Sequence, residues 1–234
     1  MSTSRHSILF LSGAGLPAWI WDDMRARLGA SYDTRVAPRP GRGAAGLRDY
    51  AEAALGSMPA GRVLLVAHSA GGVVGAEIAA LAPERVGGFL AISAIVPPPG
   101  GSFVTAMPIP NRWILSAAMR LAGTRPPDSA IRKTLATGVD EATIDRLIAD
   151  FTPESQGYYR DRLGQQRWTG PRGYVTTTRD REVPPPMQRR FARRLGADWH
   201  RELATGHLPM LEDPGALTAA IVAFVESPPT CAAS

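Results

Sequence analysis

A serine carries covalent chemistry only where its hydroxyl is presented and a base stands ready to take its proton. Ser69 has the first condition in its local sequence. An apolar run over residues 62–67 predicts a buried strand, and His68 ends it. A stretch rich in glycine and alanine over residues 70–81 predicts a helix that Pro83 stops. Ser69 therefore sits at a strand–turn–helix bend, with its oxygen aimed out of the sheet and the next N–H at a helix N-terminus, where negative charge is favoured. Ala67 and Gly71, two positions either side, are small where such a turn brings strand and helix together. Gly72 and Gly75 let the helix lie close to the sheet.

The base must come from one of four histidines. His6 precedes the first predicted strand and fits a solvent-exposed role. His68 abuts Ser69, and as its neighbour in the turn it points elsewhere. His200 falls inside a short predicted strand, in a packed or edge position. His207, in the loop after the last predicted strand, is the one placed at the carboxyl end of the sheet. A third group must fix the tautomer of that base. There is no carboxylate between Glu84 and Asp128, so the loop after the fourth strand offers none. Asp180 directly follows the next strand and leads; Glu182 is its nearest rival. Asp145, Asp150 and Asp161 fall on predicted helices, in solvated or helix-pairing roles.

The elements that position these groups alternate. Candidate strands at residues 7–11, 32–37, 62–67, about 89–92, 173–178 and 198–203 are separated by helical patterns, at about 19–28, 47–55 and 70–81 in the first half of the chain. Such alternation predicts an α/β fold with a mostly parallel central sheet covered on both faces. Ligands of such sheets bind at the carboxyl ends of strands. The pattern breaks at Pro97-Pro98-Pro99-Gly100-Gly101. From there to residue 173 only helices are predicted, near 111–121, 129–135, 141–149 and 153–167, the last with Thr152 as its cap and Pro153 at its first position. This predicts a core formed by residues 1–96 and 174–234 and an inserted helical lid over 97–173. Phe103, Met107, Trp113, Ile114, Met119, Phe151, Tyr158 and Tyr159 give the lid more apolar surface than a connector needs, and a minority should line a pocket. Trp113, Phe151 and Tyr158, with Gly13 in the loop after the first strand, are the expected substrate contacts. Which of Trp113, Phe151, Tyr158 and Trp168 surround Ser69 would bound the acyl length. After residue 184 a helix over 187–195 and a last helix capped by Asp213, with Pro214 first and Leu217, Ile221, Phe224 and Val225 on one face, complete the core.

At 234 residues the chain fits one domain with an insertion. The apolar fraction of 44% is ordinary for a globular protein, and no apolar run approaches the roughly 20 residues of a membrane span. The net charge of +5 comes from arginine, since Lys133 is the only lysine. Arginine is densest at Arg189, Arg190, Arg193 and Arg194, without a nucleic-acid-binding motif, so solvated faces are the expectation rather than a polyanion site. Cys231 is the only cysteine, which excludes an internal disulfide and a cysteine-based metal site. No signal-peptide hydrophobic segment precedes the first strand, and a cytoplasmic location is expected.

Four segments resemble the α/β-hydrolase superfamily, and within it the small branch of plant-type methylesterases, hydroxynitrile lyases and bacterial relatives. They are Ser12-Gly13-Ala14-Gly15-Leu16-Pro17-Ala18-Trp19-Ile20-Trp21, Ala67-His68-Ser69-Ala70-Gly71, Arg179-Asp180-Arg181-Glu182-Val183-Pro184 and Gly206-His207-Leu208-Pro209-Met210-Leu211-Glu212-Asp213-Pro214. The resemblance spans residues 7–225, and serine, aspartate and histidine follow in the order of that fold. It implies Ser69 as nucleophile, His207 as general base and then acid, Asp180 as the orienting carboxylate, and the N–H groups of Ala14 and Ala70 as the oxyanion hole.

The departures narrow the chemistry. Many relatives have His-Gly at Ser12-Gly13, so a contact made by that histidine is missing or replaced. Hydroxynitrile lyases of the branch carry threonine at the position of Gly13 and lysine at that of Leu208, which favours hydrolysis here. Serine rather than aspartate at the elbow disfavours haloalkane dehalogenase and epoxide hydrolase mechanisms. The implied activity is hydrolysis of a small-to-medium carboxylic ester, lactone or thioester through an acyl-enzyme. It needs no metal and no organic cofactor. The partners expected are a small-molecule ester-like substrate and, for assembly, a second copy of the chain as a candidate homodimer, with no nucleic acid and no membrane. The alternatives are a non-hydrolytic ligand-binding member of the fold, or a lyase, cyclase or acyltransferase of secondary metabolism using the same three residues.

Overall fold

The computed structural model describes residues 6–40, 44–165 and 167–227; Cys231 lies outside them. Six strands form one parallel sheet in the order β2-β1-β3-β4-β5-β6, with β1 at His6–Leu11, β2 at Tyr32–Val36, β3 at Val63–His68, β4 at Val86–Ile92, β5 at Arg172–Thr177 and β6 at Trp199–Leu203. The apolar runs of the inner strands β1, β3 and β4 follow from burial on both faces, while the edge strands β2 and β6 carry charged residues and stay partly exposed. Because side chains alternate along a strand, Leu9, Leu65, Ala67, Phe89 and Tyr174 enter one core cluster. Ile8, Phe10, Leu64, Val66, Leu90 and Val175 enter the other.

Helices close both faces. The first cluster is covered by α2 at Leu47–Ser57, α3 at Gly71–Leu81 and α9 at Pro185–Leu195. The second is covered by α1 at Asp22–Leu28 and α11 at Pro214–Glu226, which pack on each other. Asp213 caps α11 by accepting from the Ala216 N–H at 2.9 Å, as the Asp213-Pro214 pair predicts. The Trp19–Leu28 segment is a 3-10 turn over Ala18–Trp21 that runs into α1. A short helix, α10 at Pro209–Glu212, precedes α11.

Strand order reverses between β1 and β3, so the crevice outside their carboxyl ends is the topological switch point where ligands of open α/β sheets sit. The loop from Ser12 and the bend at Ser69 both open there.

Between β4 and β5 the chain makes α4 at Phe103–Ala106, α5 at Asn111–Ala122, α6 at Asp128–Ala130 continuing as a wide turn over Ile131–Leu135, α7 at Glu141–Asp150 and α8 at Gln156–Arg160. The start expected at Thr152 is displaced. Residues 151–155 are extended, Ser155 caps α8 by accepting from the Tyr158 N–H, and the helix ends at Arg160 rather than near residue 167. Pro153 disfavours a helical Thr152, and tertiary bonds hold the extended segment. Thr152 N–H donates to the Gly15 carbonyl at 3.0 Å. The Glu154 carboxylate accepts from Gly15 N–H at 3.0 Å, Arg39 Nε at 2.6 Å and Tyr50 Oη at 2.8 Å. This buried carboxylate ties the helical excursion to the loop after β1.

Candidate active site

The bend after β3 is tight enough to force Ser69 to φ 52°, in the left-handed region that a non-glycine residue occupies at a cost of about 1–3 kcal/mol. Backbone bonds hold it there: Ser69 N–H donates to the Ile92 carbonyl at 3.2 Å, and its own carbonyl accepts from Gly72 and Ile95 at 3.1 and 2.9 Å. Gly71 is required next to it, because a Cβ would lie 2.3 Å from the Leu11 carbonyl oxygen. Ala70 caps α3.

Three side chains from three loops meet. Ser69 Oγ lies 2.9 Å from His207 Nε2, and His207 Nδ1 lies 2.7 Å from Asp180 Oδ2. A carboxylate only accepts, so His207 carries its proton on Nδ1 and leaves Nε2 free to accept from Ser69. His207 is wholly buried, while Ser69 and Asp180 are 8% and 4% exposed.

The carboxylate of Asp180 is heavily supported. Its Oδ1 accepts from the N–H groups of Glu182 and Val183 at 2.8 and 2.9 Å. Its Oδ2 also accepts from Thr177 Oγ1 at 3.0 Å and Gln188 Nε2 at 3.1 Å. Burial pushes the carboxyl pKa up, but the charge and hydrogen bond of His207 and these donors outweigh it, so Asp180 is held below the ordinary value. For His207, burial opposes the charged form and Asp180 favours it more strongly, leaving the ring above its usual 6.5. Glu182, the rival acid, instead turns its carboxylate to Thr134 Oγ1.

The other histidines separate by environment. His6 is exposed. His200 is exposed on the edge strand β6, with Nε2 2.9 Å from the Ala197 carbonyl. His68 is fully buried, and its Nε2–H donates to the carbonyl of His207 at 2.7 Å. Burial first, then the neighbouring His207, draws its pKa down to about 3, so it is neutral.

A cavity of about 400 Å³ opens on Ser69. Ala14 and Ala70 line it beside the serine, and Met119 and Phe151 line it from the excursion. Its lining is mostly apolar, with Arg125 and Glu182 among the few charged groups. Of the expected contacts, Phe151 is therefore brought to the cavity. Gly13 is not in the lining but lies under the nucleophile, where a Cβ would stand 2.9 Å from the Cβ of Ser69. Trp113 is not brought to the cavity: it is 62% exposed on the outer face of α5. Tyr158 is buried against Tyr50 and Tyr159, with ring centroids 4.7 and 5.1 Å away. It lines a separate cavity of about 260 Å³ together with Arg39 and Glu154. Trp168 donates Nε1–H to the Val86 carbonyl at 3.0 Å, at the opposite end of β4. Gln188 was not expected. A glutamine on the face of α9 that carries Phe191, Ala192 and Leu195 is the signal that marks it.

The family model of the alpha/beta hydrolase family matches residues 8–221. The chain belongs to the alpha/beta hydrolase family. No curated protein matches the sequence at a significant level. Among solved structures, this hydrolase is similar to polyneuridine aldehyde esterase, at 19% identity and TM-score 0.77, over 95% of this chain and all of that one. It is similar to an extracellular alpha/beta-hydrolase from a Paenibacillus species, at 17% identity and TM-score 0.83, over 93% and 98%. It is also similar to a methylesterase from Arabidopsis, at 17% identity and TM-score 0.75, over 94% and 98%. At these identities the likeness is one of fold. Among the described residues, no helix is long and apolar enough to cross a membrane.

Proposed function

We propose that the chain is a serine esterase that hydrolyses a small-to-medium carboxylic ester through an acyl-enzyme. The observation that carries this reading is the hydrogen-bonded series Ser69–His207–Asp180 opening on an apolar cavity. His207 Nε2 takes the Ser69 proton as Oγ attacks the ester carbonyl. Asp180 stabilises the imidazolium that forms. The N–H groups of Ala14 and Ala70 receive the oxyanion, where loss of one donor costs on the order of 100- to 1000-fold in rate. Collapse expels the alcohol, which takes its proton from His207. Water then attacks the acyl-enzyme with His207 again as base, releasing the acid and restoring Ser69.

The excursion over residues 97–173 acts as the lid of this cavity, and its apolar lining selects an apolar acyl or alcohol group. Gly13 and Leu208 support hydrolysis over cyanohydrin cleavage. Leu208 is wholly buried and offers no charge to a leaving group. The test is product analysis on a panel of aryl and alkyl esters. Wild type releases acid and alcohol in equal amounts, and Ser69→Ala releases neither. Ester hydrolysis by Ser69→Ala at the wild-type rate would overturn the assignment.

A further inference from the structure

Helix α5 is apolar on two faces, and only one has a partner. Leu115, Ala118, Met119 and Ala122 follow one another at helical spacing and line the cavity. Turned away from them, Trp113, Ile114 and Leu121 are 62%, 66% and 89% exposed, and Ile109 just before the helix is 56% exposed. Residues 114 and 121 are two turns apart, so these side chains form a continuous outward stripe. Contiguous exposed apolar surface of this kind marks an interaction site.

Charge identifies the partner. Arg112 and Arg120 border the stripe, and there is no aspartate or glutamate between Glu84 and Asp128. Among the described ion pairs neither Arg112 nor Arg120 takes part. The Arg112 guanidinium instead lies 5.8 Å from the Trp113 ring centre. A tryptophan and aliphatic stripe bordered by arginine is the pattern of a helix lying in a lipid headgroup region. The same stretch of a symmetric second copy would bring more arginine to the stripe and no carboxylate, since none lies between Glu84 and Asp128. An anionic bilayer offers both the apolar depth and the opposite charge.

We infer that α5 docks on an anionic membrane surface, with Trp113, Ile114 and Leu121 in the interface and Arg112 and Arg120 at the headgroups. The inference does not depend on the reaction at Ser69. It differs from the expectation of no membrane partner, and it needs no helix that crosses the bilayer; among the described residues none is long and apolar enough to do so. Docking would place the cavity on the other face of α5 next to apolar molecules dissolved in the bilayer.

The experiment is co-sedimentation of the full chain with vesicles of phosphatidylglycerol and phosphatidylcholine, or of phosphatidylcholine alone, with circular dichroism to verify folding. The wild type should pellet with the anionic vesicles, and raising salt from about 0.05 to about 0.5 M should release it. Partitioning should fall by at least about tenfold in the triple variant Trp113→Ser, Ile114→Ser, Leu121→Ser and in the double variant Arg112→Gln, Arg120→Gln. Trp113→Phe should keep binding and lose most of the vesicle-induced blue shift in tryptophan fluorescence. Absence of wild-type pelleting with anionic vesicles, or pelleting of both variants equal to wild type, overturns the inference. So does a wild-type dimer that the triple variant dissociates, which would assign the stripe to self-association.

Discussion

His68 donates its Nε2–H to the backbone carbonyl of His207 across 2.7 Å, so the residue before Ser69 holds the loop that carries the ring facing it. Their rings are 4.7 Å apart and tilted by 52°. The arrangement couples the bend after β3 to the loop after β6 through the buried interior.

Replacing His68 by leucine removes this bond and leaves the His207 carbonyl without that donor. A net loss of about 1 kcal/mol in positioning corresponds to a kcat about five- to tenfold lower, with KM unchanged. Steady-state kinetics on a soluble ester checks it. The same variant tests linkage. The folded pKa of His68 is about 3 against 6.5 unfolded. Its contribution to stability is therefore fully present above pH 6.5 and lost as pH falls toward 3. Denaturant unfolding at pH 7 and pH 5 should show a smaller acid loss in His68→Leu than in wild type.

The acid limb of activity should report His207. The ring is raised above 6.5 because the Asp180 carboxylate outweighs burial. Only its neutral form takes the Ser69 proton, so kcat/KM should rise with pH through a midpoint above 6.5. Asp180→Asn keeps the burial and removes the charge. The midpoint should move down, and kcat should fall by about 10⁴ through loss of the correct tautomer.

Gln188 is wholly buried, and its amide bridges Thr177, Asp180 and the Val183 carbonyl. Gln188→Leu preserves much of the volume and strands these polar groups. The expected loss is about 1–3 kcal/mol, read from the urea midpoint. The Asp180 carboxylate keeps its main-chain donors, so the rate should fall far less than in Asp180→Asn.

Glu154 joins the excursion to the core through Gly15, Arg39 and Tyr50. Glu154→Leu leaves the Arg39 guanidinium without its carboxylate in a site where Glu154 itself is 5% exposed. Arg39 is 28% exposed and keeps its bond to the Leu16 carbonyl, so the cost comes mainly from the stranded Gly15 N–H and Tyr50 hydroxyl and is about 1–3 kcal/mol. Urea unfolding measures that cost, and limited proteolysis should cut within residues 97–171 first.

The sheet and the meeting of Ser69, His207 and Asp180 were legible because their signals are local. Runs rich in apolar residues mark the buried strands β3 and β5, which Ser69 and Asp180 follow, while His207 follows the exposed edge strand β6 and was placed by the loop after it. The extended segment at 151–155 was not legible, since its partners lie at Gly15, Arg39 and Tyr50, more than 100 residues away in sequence. Thr152-Pro153 carries a helix-start pattern that those bonds override. Trp113 was misplaced because α5 is apolar on two faces, and spacing alone does not say which one turns inward. Tyr158 was drawn into packing with Tyr50, a contact between distant segments that composition does not encode.

The most direct measurement of the account is the intact mass of the protein after treatment with a fluorophosphonate, followed by peptide mapping. The wild type should gain one adduct, located on Ser69, in step with loss of ester hydrolysis, and Ser69→Ala should gain none. An adduct of equal yield on Ser69→Ala, or full inhibition of wild type with Ser69 unmodified, would contradict the assignment of Ser69 as nucleophile.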